Sequence, residues 1–471
     1  MLDLTREDGS QQFKALDVTL APGLLGKIAG VEQCPAAAIA SAQARRHAGE
    51  GILEQQSPSC PAASEIGSVT VGAGSGSPFY ATGRAYLAGP YEGAPFSIVI
   101  VTPAIAGPFD LGSVVVRSAL YINPENAQVT VKSDPIPSSL DGIPLDVRSI
   151  AIDISRPQFT LNPTSCASMS ITGKLTSTLK QSAALSDPFQ VAGCANLPFK
   201  PELSASTQGK TSKLDGASLT LKIAYPSGGQ ANIAKLDLTI PKILPSRLTT
   251  LQKACIEAQF NTNPAGCPPA SQIATATVHT PLLNSPLSGP AYLVSHGGAE
   301  FPDVEIVLQG ENVKLVVDSK TQIKAGVTYA HAETVPDAPF TSFEFNAPEG
   351  PDSLFAANAD PCTSEITMPN TIVGQNGDTI TQNTPIEPEG CPFALTVLRH
   401  AAKKHTITIV VVVPAAGKLV VKGKGVAKVT RTAQRREVIT ITTHSTKPGK
   451  HKITLTFMPN HGHKLTRTVK S

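Results

Sequence analysis

Ser295-His296-Gly-Gly-Ala-Glu300 sets a hydroxyl, an imidazole and a carboxylate close together in the chain. These are the three groups of a charge-stabilised nucleophile, but such triads are assembled in space, so local proximity is weak evidence for one. The matching loop of an internal repeat, Gly89-Pro-Tyr-Glu-Gly-Ala-Pro, has neither Ser nor His, and a surface loop is the plainer reading. Asp134, Asp141, Asp146 and Asp153 offer hard oxygen ligands for calcium. Their spacing is not that of an EF-hand, and Asp is common in turns. His461-Gly-His463 would put two imidazoles on one face of a strand, yet it follows Pro459-Asn460, which marks a turn. Gly72-Ala-Gly-Ser-Gly-Ser-Pro is glycine-rich, but no helix pattern follows, so it reads as a hairpin tip and not as a phosphate cradle. No Gly-x-Ser-x-Gly elbow, His-Glu-x-x-His or Walker lysine loop is present. Arg117, Arg148 and Arg156 lie among aliphatic residues and are expected to pair with the Asp residues of that region. The reading is therefore of a non-enzyme with no cofactor, no catalytic residues and no metal site.

The eight cysteines, Cys34, Cys60, Cys166, Cys194, Cys255, Cys267, Cys362 and Cys391, admit 105 pairings. Zinc sites usually show close pairs such as Cys-x-x-Cys, and none occurs here. Self-similarity narrows the choice. Asp17-Val-Thr-Leu, then Leu24 and Cys34, recurs as Asp237-Leu-Thr-Ile, then Leu244 and Cys255. Cys60-Pro-Ala-Ala-Ser64-Glu-Ile66 recurs as Cys267-Pro-Pro-Ala-Ser271-Gln-Ile273, and Gly83-Arg-Ala-Tyr86-Leu87 as Gly289-Pro-Ala-Tyr292-Leu293. A looser echo links the stretches before Cys166 and Cys362. The chain thus reads as a tandem duplication. The simplest pairing is Cys34–Cys60, Cys166–Cys194, Cys255–Cys267 and Cys362–Cys391, each a local loop within its copy, with a crossed pairing inside each copy as the alternative. Bridges of this kind belong to an oxidising compartment, hence to an exported protein.

The elements that carry these residues are mostly strands. β-branched or alternating runs at 13–20, 97–102, 113–120, 127–132, 149–154, 218–224, 304–308 and 312–317 are bounded by Gly, Pro, Asn or Asp. Helical periodicity is confined to 36–54 and 248–259, equivalent places in the two copies. The last 75 or so residues read as six strands alternating aliphatic residues with Thr or Lys, a pattern with one wet face. The fold class expected is mainly β: tandem disulfide-containing sandwich-like repeats over 1–200 and 201–395, then a small immunoglobulin-like sandwich over 396–471.

Composition agrees with that class. Charged residues make only 16% of the 471, Trp is absent, and Gly 37 with Pro 40 exceed ordinary usage. The longest aliphatic run, 407–413, is too short to cross a bilayer as a helix. A net charge of +3 conceals an asymmetry: from Thr396 on there are 16 Lys and Arg against the single acid Glu437, a net +15, leaving −12 for residues 1–395. Lys418, Lys422, Lys424, Lys428, Arg431, Arg435 and Arg436 are the candidate contacts for an anionic polymer or another surface protein. The alternative is that these residues only solubilise the exposed face of a small sandwich, or complement the acidic repeats. Aromatics are too scarce in the tail for base stacking, so no specific nucleic-acid partner is expected. The first residues, Met1-Leu-Asp-Leu-Thr-Arg-Glu-Asp-Gly, are too charged for a secretory signal, and the chain reads as a fragment of a longer exported protein.

The stretch from Gly83 to Phe96, Ala106-Gly-Pro-Phe-Asp-Leu-Gly-Ser-Val-Val-Val-Arg117, Asp141-Gly-Ile-Pro-Leu145 and Arg156-Pro-Gln-Phe-Thr-Leu-Asn-Pro-Thr-Ser-Cys166 resemble a family of large secreted multi-repeat proteins from high-GC actinobacteria. The tail is similar to the immunoglobulin-like modules that end many of them. The resemblance covers most of the chain and implies an extracellular or wall-associated, structural or adhesive protein, with no catalytic or ligand residues attached. Two other functions stay open at this point. A carbohydrate- or peptide-binding module would rest on Tyr80, Tyr86 and Tyr91, and a secreted hydrolase would need a site built from dispersed residues.

Overall fold

A computed structural model describes residues 2–212, 214–226, 228–298 and 301–470. The fold is mainly β, 53% strand against 9% helix, with several sheets and four disulfides. In the first repeat ten strands hydrogen-bond in the order Leu2–Thr5, Val147–Asp153, Glu65–Ala73, Phe79–Ala88, Phe96–Ala106, Phe109–Ile122, Val129–Ser133, Phe13–Thr19, Met169–Ser177 and Ser182–Phe189. Position for position, the second repeat runs Leu219–Ala224, Ser342–Ala347, Gln272–His279, Leu287–Ser295, Asp303–Gly310, Val313–Lys324, Val327–Ala332, Ile233–Ile240, Thr367–Gly374 and Thr379–Glu389. One further strand, Glu202–Gln208, pairs parallel to Thr379–Glu389 and antiparallel to Leu219–Ala224. The two layers of the second repeat are thereby joined at both edges, and its strands form a closed ring. In the first repeat Leu2–Thr5 and Ser182–Phe189 share no ladder, so a seam runs between them.

Alternation decides which face is inside. Along Phe96–Ala106, Ile98 and Ile100 point inward and register with Ser118 and Val116 of the next strand. Arg117, Lys132 and Lys174 stand on the other side. A membrane barrel alternates in the opposite sense, apolar outward and polar inward.

The repeated motifs have shared physical causes. A β-carbon on Gly83 would lie 2.4 Å from the carbonyl oxygen of Val101, and one on Gly289 2.1 Å from that of Val307, so only glycine lets the neighbouring strand close in. Ser64 and Ser271 each donate from Oγ to the carbonyl of the Pro three residues earlier, at 2.6 Å in both, turning the chain into the strand that carries Ile66 or Ile273. Tyr86 and Tyr292 are buried beside the bridges Cys34–Cys60 and Cys255–Cys267. Cys166–Cys194 and Cys362–Cys391 are also closed, and no cysteine is free.

The helical stretches are shorter than their periodicity predicts. Residues 36–54 form two helices, Ala36–Ala44 and Gly51–Gln56, because Asp110 accepts hydrogen bonds from the backbone N–H groups of Gly51 and Ile52 and starts the second one afresh. Residues 248–259 split into Leu248–Leu251 and Glu257–Thr262 around Cys255, whose backbone pairs parallel with Val294.

The repeats are clasped together. Ile28 and Ala29 donate backbone N–H groups to the carbonyl of Leu282, both at 2.8 Å, and Gly30 donates to Asn284 Oδ1. Asp337 accepts from Thr164 N–H and Oγ1, from Ser165 N–H and from Asn232 Nδ2, at 2.6–3.1 Å. Gly23, at φ +79°, passes beneath this carboxylate where a β-carbon would meet Pro163 at 2.7 Å.

Beyond residue 395 a three-stranded sheet, Thr396–Lys403, Thr406–Val413 and Glu437–His444, packs on a four-stranded one, Val426–Ala433, Gly417–Gly423, Lys452–Pro459 and Leu465–Lys470. Ile407, Ile409, Leu419, Ile441, Leu455 and Phe457 fill the space between. Thr396–Lys403 is a seventh strand where six are expected. It is an edge strand whose side chains are nearly all exposed, so it lacks the alternation that marks the others.

Candidate functional site

The outer face of the four-stranded tail sheet is lined with Lys and Thr. Lys418 and Lys422 alternate with buried Leu419 and Val421 and register beside Met458 and Thr454. Lys452 stands directly opposite Lys470, a like-charge pair that strand pairing alone disfavours. Lys424, Lys428 and Arg431 are exposed on the adjoining strand and turn. The last two candidates behave differently. Arg435 Nε lies 3.4 Å from Glu387 of the second repeat. Burial holds the pKa of Arg436 below its ordinary value, against the pull of Glu387 and Asp360. Four of the seven thus lie on or beside one open cationic face, Arg431 registers opposite buried Leu419 and so projects to the other side of the sheet, and two lie toward the acidic repeat.

The other sequence candidates are dispersed. His296 lies between carboxylates, 3.4 Å from Glu257 and 3.3 Å from Asp303, and not on Ser295, whose Oγ accepts from the Gly297 N–H; Glu300 lies outside the described residues. The four Asp residues take separate partners: Asp134 accepts from Tyr91, Asp141 lies near His47, Asp146 pairs with Arg6, and Asp153 ends a strand. His461 and His463 sit exposed in a turn, and no group of three potential ligands occurs among the described residues. The Gly72 stretch is the tip between Glu65–Ala73 and Phe79–Ala88.

Two of the arginines depart from expectation. Arg117 donates to Ser97 Oγ and to the carbonyls of Gly89 and Pro90 while its guanidinium lies 4.1 Å over the Tyr91 ring. Arg156 donates to the carbonyls of Ala63 and Glu65. Arg117 satisfies loop carbonyls and Arg156 those of the short turn and first residue that lead into the strand Glu65–Ala73, and of the three only Arg148 meets an Asp, Asp8 at 3.6 Å. Tyr86 is only 1% exposed, so Tyr80, Tyr86 and Tyr91 present no shared aromatic platform.

An acidic pair escapes sequence reading. Glu305 registers opposite Asp318 on the outer face of the second repeat. Burial, then Asp318, pushes Glu305 up to about 7, and burial, then Asp303, raises Asp318. The alternation Asp303-Val-Glu305 is the only signal that could have found it.

The interior of the repeats is the larger feature. A single cavity of about 1110 Å³ is lined by inward residues of both, Val69, Ile98 and Leu120 from the first and Leu238, Ile306 and Ala330 from the second among them. Asp187 is its only ionisable wall residue among those described. Protein interiors normally leave few voids larger than a water molecule. At about 24 cal/mol per Å³, keeping 1110 Å³ dry and empty would cost on the order of 25 kcal/mol, above the roughly 5–15 kcal/mol of a whole domain.

No protein-family model matches the chain, and no curated protein does. Among solved structures, a variant of the major pilin subunit BcpA of Bacillus cereus aligns at 10% identity and a TM-score of 0.21, over 75% of this chain and 85% of its own. The BSP domain of a biofilm-associated protein aligns at 9% and 0.18, over 99% and 77%. A red sea bream transglutaminase aligns at 12% and 0.14, over 57% and 31%. Likenesses this shallow carry no argument, and the functional reading rests on the chain's own geometry.

Proposed function

We propose that the protein is a non-enzymatic, extracellular structural module whose basic terminal sandwich contacts an anionic cell-surface polymer, with the disulfide-pinned repeats as the body it holds in place. The observation that carries this reading is the tail's net +15, with Glu437 as its only acid, together with the exposed Lys418, Lys422, Lys452 and Lys470 on one face of the four-stranded sheet. Four bridges in local loops suit an oxidising exterior. Contact of this kind is electrostatic and weakens as the screening length falls from about 10 Å at 0.1 M salt to about 3 Å at 1 M. The test is retention of the full chain on immobilised polyglutamate across a salt gradient, beside Lys418→Gln/Lys422→Gln/Lys428→Gln. The wild type should elute late and the triple variant clearly earlier. Equal elution of the two, or binding insensitive to salt, would refute the assignment.

A further inference from the structure

We propose that the two repeats together hold a long-chain acyl lipid in their shared interior. Barrel diameter grows with strand number: about eight strands leave room for side chains alone or one small ligand, and eleven-stranded cans enclose a central helix. The second repeat closes a ring above that eight-strand size, and the first carries ten strands in the same order. Among the described residues neither has a central element. Ile39 and Ala42 of the first helix pack with Cys34, Cys60 and Val99 on the outer side, so the helices cover the wall and leave the interior to whatever it binds.

The lining selects the chemistry. Water in a cavity needs two to four polar partners, and this wall offers scattered Ser and Thr hydroxyls among aliphatic side chains, with no Lys, Arg, His or Glu among the described residues. A sugar, a peptide or an ion would leave its polar groups unpaired there. A hydrocarbon chain would not. At roughly 30 Å³ per methylene, close to the share of one water molecule in the liquid, 1110 Å³ takes on the order of 35 methylenes, the size of two ordinary acyl chains. Drug-sized ligand pockets span about 300–1,000 Å³, so the space exceeds what a small apolar metabolite would fill.

The way in is the seam of the first repeat. Leu2 and Leu4 on one side and Ile171, Asp187 and Phe189 on the other line the cavity beside the two strands that share no ladder. In the second repeat the corresponding gap is filled by Glu202–Gln208. A headgroup left at the seam would stay in water beside Asp187, while the chains run inward toward Leu238 and Ile306.

The experiment uses the full chain with its disulfides intact. Cis-parinaric acid, which fluoresces in an apolar environment, is titrated into the protein, and the purified protein is separately extracted with organic solvent and the extract analysed for acyl lipids by mass spectrometry. Saturable fluorescence near one or two probes per chain, displaced by dioleoyl phosphatidylglycerol, is expected, with acyl lipid in the extract. Ala81→Trp and Ala330→Trp fill the cavity from the two repeats independently, and each should weaken binding at least tenfold. Ala184→Trp, on the outer face, should leave it unchanged. A folded wild type that neither binds parinarate nor yields lipid overturns the proposal. Undiminished binding by either folded interior variant overturns it as well.

Discussion

Replacing Asp337 by alanine tests whether the two repeats are one cooperative body. Its carboxylate takes four hydrogen bonds, two from backbone N–H groups of Thr164 and Ser165, one from the Thr164 hydroxyl and one from the Asn232 amide. Thr164 and Ser165 belong to the first repeat and Asp337 to the second, so the substitution strips donors on both sides of the joint. Hydrogen bonds to a charged group contribute about 1.5–3 kcal/mol each when buried, and less where water can replace the lost partner. Asp337 is half-buried, so somewhat under 1 kcal/mol per bond is expected, about 3 kcal/mol in total. For one cooperative body of about 395 residues, at about 2.1 cal/mol/K per residue, that corresponds to a fall in Tm of roughly 3–4 °C. Asp337→Asn keeps one acceptor oxygen and should lose about half as much. Scanning calorimetry of the three proteins is the assay, and in Asp337→Ala the single transition of the repeats should broaden or split. An unchanged Tm, or equal losses for Asn and Ala, would refute the claim that this carboxylate clasps the joint.

Glu305, raised from 4.5 to about 7 by burial and Asp318, carries its proton when folded and releases it when unfolded. Its contribution to stability is therefore fullest below about pH 4.5 and is lost as pH rises through about 7. With screening, Glu305→Gln should gain about 1–2 kcal/mol at about pH 8 and almost nothing near pH 4.5, read from urea midpoints; an equal gain at both would contradict the assignment. The bridge Cys362–Cys391, closing a separation of 29 residues, should contribute about 3–4 kcal/mol, lost in the double Ser variant. A β-carbon at Gly209 would lie 2.5 Å and 2.7 Å from its two sulfurs. Gly209→Ala should therefore cost about 1–3 kcal/mol in the bridged protein and less in the double Ser background, where the Glu389 carbonyl, 2.8 Å from the added carbon, still resists it; additive losses in denaturant titrations would argue against the contact with the sulfurs.

Sequence reading goes furthest where cause is local. The Cys-Pro-x-x-Ser turns, the Gly-x-Ala-Tyr strands and the bounded β-branched runs each carry their own signal, and the structure gives each a local reason. What escapes is set by distant contacts. Glu202–Gln208 pairs with Thr379–Glu389 across nearly the length of a repeat, and nothing in either segment names the other. Inward Ile98, Leu238 and Ile306 have the same alternation whether they meet a facing layer or surround open space, so the cavity is invisible to periodicity. Arg117 and Arg156 show the same limit. Carbonyl partners in loops leave no trace in sequence, whereas the Asp residues nearby suggest pairs that do not form.

The joint between the repeats also sets an order of events in the making of the protein. Every strand of the first ring lies before residue 190, so it can assemble before the second exists. Its end at Ile28, Ala29 and Gly30 nevertheless waits for Leu282 and Asn284, and its Thr164 loop waits for Asp337. At about 5–20 residues per second, the nascent chain spends on the order of 10–30 s with a nearly complete ring open at an apolar end. That interval is when a holding chaperone, or an early lipid, would matter most.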